Sequence, residues 1–190
     1  VNARGAGAYS SNSASIIVAS VAGLPTAVTG TSGDSSIALS WSAPAVNGGS
    51  AVSGYRVSTL INGSWVVSSA NTGSAATSYT VTGLTNGVDY YFKIAAINGA
   101  GTGSDTASAG PFTPRGVSTA PSLTSITPGN QLIVVVFGAP SNNGGSTITS
   151  YVATATDSSN TSKSCTWTTG ALTCTIAGLT NGTSYQFIMW

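Results

Sequence analysis

Ile37-Ala-Leu-Ser-Trp-Ser-Ala-Pro-Ala-Val-Asn-Gly-Gly-Ser-Ala-Val-Ser-Gly-Tyr55 returns 96 positions later as Ile133-Val-Val-Val-Phe-Gly-Ala-Pro-Ser-Asn-Asn-Gly-Gly-Ser-Thr-Ile-Thr-Ser-Tyr151. The first copy opens with a period of two, because Ile37, Leu39 and Trp41 alternate with Ser36, Ala38 and Ser40, which predicts a strand with one apolar face. A proline, a Gly-Gly turn and a tyrosine follow in both. Outward from this stretch, Thr59 to Val66 places Asn62-Gly63 between two apolar runs, the strongest short hairpin signal. Tyr90, Phe92, Ile94 and Ala96 share one face of a later strand. No 3.6-residue pattern competes, so the chain reads as all-β, with about seven short strands per copy in a sandwich of two sheets.

The phase of the repeat is informative. Asn2, Gly5 and Gly7 match Asn98, Gly101 and Gly103, while Tyr185 to Trp190 match Tyr90 to Ala95. The expected organisation is a final strand and linker at 1–21, a complete module at 22–115, and a second module at 116–190 lacking its last strand. Such a chain is expected to be either a slice of a longer array or a subunit completed by its neighbours.

Charge is scarce: 5% of the 190 residues, with no His and a net charge of +1, against an average near ~25%. A nearly neutral surface gives no footprint for nucleic acid and no basic amphipathic helix for a membrane. The carboxylates are Asp34, Asp89, Asp105 and Asp157, dispersed in turns and at strand ends. General acid–base work needs paired groups, and calcium needs clustered oxygens, so neither catalysis nor a metal or cofactor is expected. Cys165 and Cys174 flank a Thr169-Gly170 turn. Counting outward opposes them across two strands, where a disulfide or two free thiols would fit, whereas two sulfurs make an incomplete zinc site. An oxidised pair would place the protein outside the cytosol.

Other candidates carry competing readings. Asn47-Gly48-Gly49-Ser50 and Asn142-Asn143-Gly144-Gly145 could be ligand loops, but recurrence at one place favours a tight connection needing positive φ. Trp65 and Trp167 could stack on sugars or pack across strands. Leu132, Val134 and Val136 give the second copy an apolar outer face where the first has Ser36, Ala38 and Ser40. Ile188 and Trp190 likewise replace Lys93 and Ala95, so these five residues form either a contact surface or a face covered by a neighbouring module. Asn62, Asn160 and Asn181 fit the glycosylation triplet, Asn181 doubtfully because its turn is needed structurally.

Ser40-Trp41-Ser42-Ala43-Pro44, Gly54-Tyr55-Arg56-Val57, Gly83-Leu84-Thr85-Asn86-Gly87, Tyr90-Tyr91-Phe92 and Asn98-Gly99-Ala100-Gly101 together resemble the fibronectin type III pattern, most closely bacterial tandem-repeat versions. The resemblance implies that Trp41 and Phe137 are core residues of strand B, with Tyr55, Tyr151, Leu84 and Leu179 beside them. It also implies that Tyr90 and Tyr185 are tyrosine corners, and the cysteine hairpin is similar to a pair in many bacterial copies. The expected function is then a non-catalytic extracellular or cell-surface structural protein: a stalk, spacer or fibre whose partners are copies or modules of its own kind. In one version the array is covalent, and in the other Ile16, Ile17 and Val18 lie at the centre of a strand donated to the next subunit. The alternative is an adhesin or carbohydrate-binding accessory module of a secreted enzyme, with surface glycans as partners.

Overall fold

The structure is a computed structural model and describes residues 4–6 and 18–190. Fourteen strands and no helix make up the described residues, in an all-β sandwich fold. The first eight are β1 (Thr26–Gly33), β2 (Ser36–Ser42), β3 (Val52–Ile61), β4 (Ser64–Ser69), β5 (Ser78–Thr82), β6 (Tyr90–Asn98), β7 (Gly101–Thr102) and β8 (Ala109–Phe112). The rest are β9 (Ser122–Gly129), β10 (Leu132–Gly138), β11 (Tyr151–Asp157), β12 (Ser162–Trp167), β13 (Thr173–Ala177) and β14 (Tyr185–Met189). They pair in the orders β1-β2-β5, β4-β3-β6-β7 with β8 also on β6, β9-β10-β13, and β12-β11-β14.

The alternation in sequence becomes alternation in burial. Ile37, Leu39 and Trp41 are buried on β2, as are Tyr55 and Val57 on β3 and Phe92, Ile94 and Ala96 on β6. Asn62-Gly63 closes the β3–β4 hairpin, with Ile61 opposite Ser64 and both turn residues at positive φ. Two residues of left-handed backbone match the twist of the strands they join, which is why Asn-Gly is favoured there.

The chain divides into two compact units. One comprises the described part of Val1–Val28 with Trp41–Thr77 and Phe92–Ala109; the other comprises Thr29–Ser40, Ser78–Tyr91 and Gly110–Trp190. In the first unit Trp41 meets Tyr55 edge to face, ring centroids 5.0 Å apart. In the second, Val135, Phe137, Tyr151, Ala153, Ala155, Ile176 and Leu179 form a buried core lined by Ile133, Cys165, Trp167, Cys174, Tyr185, Phe187 and Met189.

The cysteine segment departs from the expected hairpin. β12 pairs with β11 and β13 with β10, so residues 168–172 cross from one sheet to the other instead of closing a tight turn. Cys165 stands opposite Ala153 and Cys174 opposite Val135, and their sulfurs are bonded with Cα atoms 6.0 Å apart. Counting outward from the turn could not separate these geometries. Inward-facing positions of two packed sheets confront each other much as opposed positions of one ladder do.

The two copies differ where β14 runs. Tyr90, Phe92 and Ile94 of β6 are buried, whereas Tyr185, Phe187 and Met189 of β14 are half-buried. β14 has β11 as its ladder neighbour on one side. Leu123 and Ile126 of β9 are paired with Phe137 and Val135, which puts them on the core side, yet both are exposed. Ile126 occupies the repeat position of Gly30, where a Cβ would meet the Phe112 ring at 2.7 Å. Phe112, which ends β8, therefore covers β1 at the place that stays open beside β9.

Candidate functional site

The four carboxylates are committed to local structure. Asp34 Oδ1 accepts from Asn86 Nδ2 at 2.7 Å, and Asp89 accepts from the Thr113 hydroxyl at 2.5 Å. Arg56 and Asp105 form an ion pair at 2.9 Å, each about one third exposed, a setting worth little stability. Asp157 Oδ1 accepts from Ser159 N, Ser159 Oγ and Thr161 N, closing the β11–β12 turn. The Ser159 hydroxyl bond, followed by the Thr161 amide, holds this exposed carboxyl below its ordinary value. Among the described residues no group of three or more Cys, Asp, Glu or His lies together, and no helix is long and apolar enough to cross a membrane.

The aromatic candidates separate. Trp167 turns inward: its ring lies 5.2 Å from Tyr151 and 6.4 Å from Phe137, and its Nε1 donates to Ala171 O at 2.8 Å. The second copy thus has Phe137 in place of Trp41 and adds an indole from the facing sheet. This position is core packing, not a sugar platform. Trp65 is 38% exposed with Lys93 Nζ 4.4 Å from its ring centroid, so a cation already occupies one face.

The apolar candidates do not form one patch. Leu132, Val134 and Val136 run down the middle of β10, flanked by Thr127 and Ser125 on β9 and Thr175 and Thr173 on β13. Leu132 and Val134 are half-buried within this sheet face and Val136 is exposed. Ile188 and Trp190 are 59% and 58% exposed beside Thr154 and Val152, on the outward side of the other sheet. The two sets therefore face opposite sides of the same sandwich. Ile16 and Ile17 lie outside the described residues; Val18 is exposed.

Asn62 and Asn160 are exposed at turn tips with positive φ. Asn181 is engaged at both ends: Oδ1 accepts from Gln131 N at 2.9 Å and Nδ2 donates to Asn130 at 2.7 Å. A glycan on this amide would break both bonds. The same turn carries the corner tyrosine, since Thr180 N donates to Tyr185 Oη at 2.9 Å, as Thr85 N does to Tyr90 Oη at 3.1 Å.

One arrangement was not anticipated. Within the second unit, Gly87 packs against Gly145, where a Cβ on Gly87 would approach Gly145 Cα at 3.1 Å and a Cβ on Gly145 would strike Gly87 N. Around this contact Gly87 N donates to Pro114 O at 2.9 Å, Arg115 N to Gly33 O at 3.1 Å and Gly116 N to Gly144 O at 2.9 Å. This is a joint of backbone on backbone, possible because both turns carry glycine. Reading Gly-Gly as a turn explained the positive φ. It left unexplained why Asn-Gly and Gly-Gly recur together, the signal that could have revealed the joint.

Residues 24–110 match the family model for the fibronectin type III domain. No curated protein matches the chain. Among solved structures, a segment of titin is 26% identical over 50% of this chain and 32% of that chain, with a TM-score of 0.46. The twitchin kinase region from C. elegans is 29% identical over 50% of this chain and 17% of that one, TM-score 0.45. A two-domain fibronectin type III segment of chicken tenascin is 18% identical over 87% and 89%, TM-score 0.45. The chain spans about a third of the titin segment it matches. In family match, strand content and burial pattern, residues 24–110 are similar to a fibronectin type III domain.

Proposed function

We propose that the protein is a non-catalytic structural module that works outside the cytosol as a spacer in a stalk or fibre, with modules of its own kind as neighbours. The observation that carries this reading is the backbone joint at Gly87 and Gly145, which ties two consecutive stretches of the chain together through main-chain contacts. Domains of this family are typically extracellular structural or adhesion modules, and the Cys165–Cys174 bridge fits an oxidising compartment. Committed carboxylates and a Trp65 ring capped by Lys93 speak against chemistry or sugar stacking as the main role.

The open side between β9 and β14 takes a further strand in this reading. That strand comes either from the continuation of a covalent array or from residues 13–19 of a neighbouring copy, which hold the repeat position of β8. Strand addition of this kind draws affinity from main-chain bonds and alternate buried side chains. A membrane-impermeant amine label applied to intact source cells tests the location, with Lys93 and Lys163 as targets. Labelled, disulfide-intact protein is expected; unlabelled protein with free thiols would overturn it. Specific binding on a glycan array that is lost on Trp65→Ala would replace the spacer with an adhesin or carbohydrate-binding module.

A further inference from the structure

The joint has two halves, and each half occurs a second time in the chain. The donor half is the turn Thr85-Asn86-Gly87-Val88, repeated as Thr180-Asn181-Gly182-Thr183. Its internal bonds are reproduced: Ser35 N to Asn86 Oδ1 at 2.8 Å becomes Gln131 N to Asn181 Oδ1 at 2.9 Å, and Leu84 N to Ser35 O at 2.9 Å becomes Leu179 N to Gln131 O at 3.0 Å. The φ angles agree as well, 81° at Gly87 and 79° at Gly182.

The receiving half is the Gly144-Gly145 turn with its incoming linker, repeated as Gly48-Gly49. Gly116 N to Gly144 O at 2.9 Å has its counterpart in Ser20 N to Gly48 O at 2.8 Å, and Thr119 N to Asn142 O at 2.9 Å in Gly23 N to Val46 O at 2.9 Å. Val18 stands where Pro114 offers its carbonyl to Gly87, and it is 91% exposed. Both turns thus carry the backbone hydrogen bonds of the joint. Gly182 also has nothing within 4 Å of an added Cβ, whereas Gly87 meets Gly145.

We propose that the Thr180–Thr183 turn docks on the Gly48-Gly49 end of a second copy of this chain, making a head-to-tail joint that repeats the one at Gly87 and Gly145. The proposal deepens the structural reading above and rests on it. Donor and receiver lie on different parts of the chain, so the contact is heterologous and propagates unless the rotation closes a ring. One position differs: Ser20 replaces Gly116, where a Cβ would meet the Asp34 carboxylate and Asn86 Nδ2. At the new joint the counterparts are Asn130 and Asn181, whose side-chain ends must turn aside while the backbone stays in place.

The experiment is sedimentation velocity of the full chain across a concentration series, comparing wild type with Gly182→Asn. Asparagine tolerates left-handed φ, so the second module keeps its fold, checked by an unchanged melting temperature. A side chain at 182 blocks the joint as one at 87 would. The expected result is concentration-dependent oligomers whose association constant falls at least about tenfold in the variant, the size of effect that overpacking a tight contact produces. A wild type that stays monomeric throughout overturns the joint between copies but leaves a covalent spacer intact. Oligomers indifferent to Gly182→Asn overturn the proposal and transfer association to another surface, with the fibre reading retained.

Discussion

Removing the Cys165–Cys174 bridge by a Cys165→Ala/Cys174→Ala double substitution should loosen the second copy by a predictable amount. The cysteines are separated by 9 positions, so the bridge closes a loop of about ten residues. The chain-entropy relation assigns such a loop about 9 cal/mol/K, or about 2.7 kcal/mol at 25 °C. Against a typical total of ~5–15 kcal/mol this is large but survivable, so the variant should still fold. Native-state hydrogen exchange reads the effect by position. Amides of β10 and β13, which flank the bridge through the pairing of Val135 with Cys174, should exchange about a hundredfold faster, each ~1.4 kcal/mol being a factor of ten. Amides in the β2–β5 ladder, remote in sequence from the loop, serve as the reference. An acceleration below about threefold at β10 and β13 would refute the reasoning, because the crossing at 168–172 would then be held as firmly without its staple.

Trp41→Phe should change stability by no more than about 1 kcal/mol: the buried Nε1 of Trp41 has no hydrogen-bond partner, so losing it offsets part of the lost apolar area. Trp41→Ala should cost about 3–5 kcal/mol in the same thermal denaturation series, and a Phe variant as damaged as the Ala variant would show that the indole is needed for more than filling space. For Asp157, a folded-state value below the ordinary 3.8 means its stabilisation is present above pH 3.8 and is lost as pH falls through the lower folded value. Asp157→Asn should therefore flatten the acid-unfolding curve below pH 3.8; curves of unchanged shape would remove the Asp157 turn from the acid response.

Much of the molecule was legible before any coordinates. The family resemblance implied the tyrosine corners at Tyr90 and Tyr185; period-two alternation identified the buried faces of β2, β3 and β6, and Asn62-Gly63 identified a hairpin. These are local properties, because a residue's neighbours two positions away and its own φ preference suffice to state them. Alternation tells which way a side chain points but not which strand lies beside it or which sheet lies opposite. Tertiary structure alone therefore decided that β12 and β13 belong to different sheets, that Trp167 joins Phe137 in the core and that Lys93 covers Trp65. It also decided that two glycine turns 58 positions apart, Gly87 and Gly145, meet as a joint. Contacts across that distance depend on where whole sheets come to rest; the recurrence of Asn-Gly with Gly-Gly signals that the two turns matter together, but not that they touch.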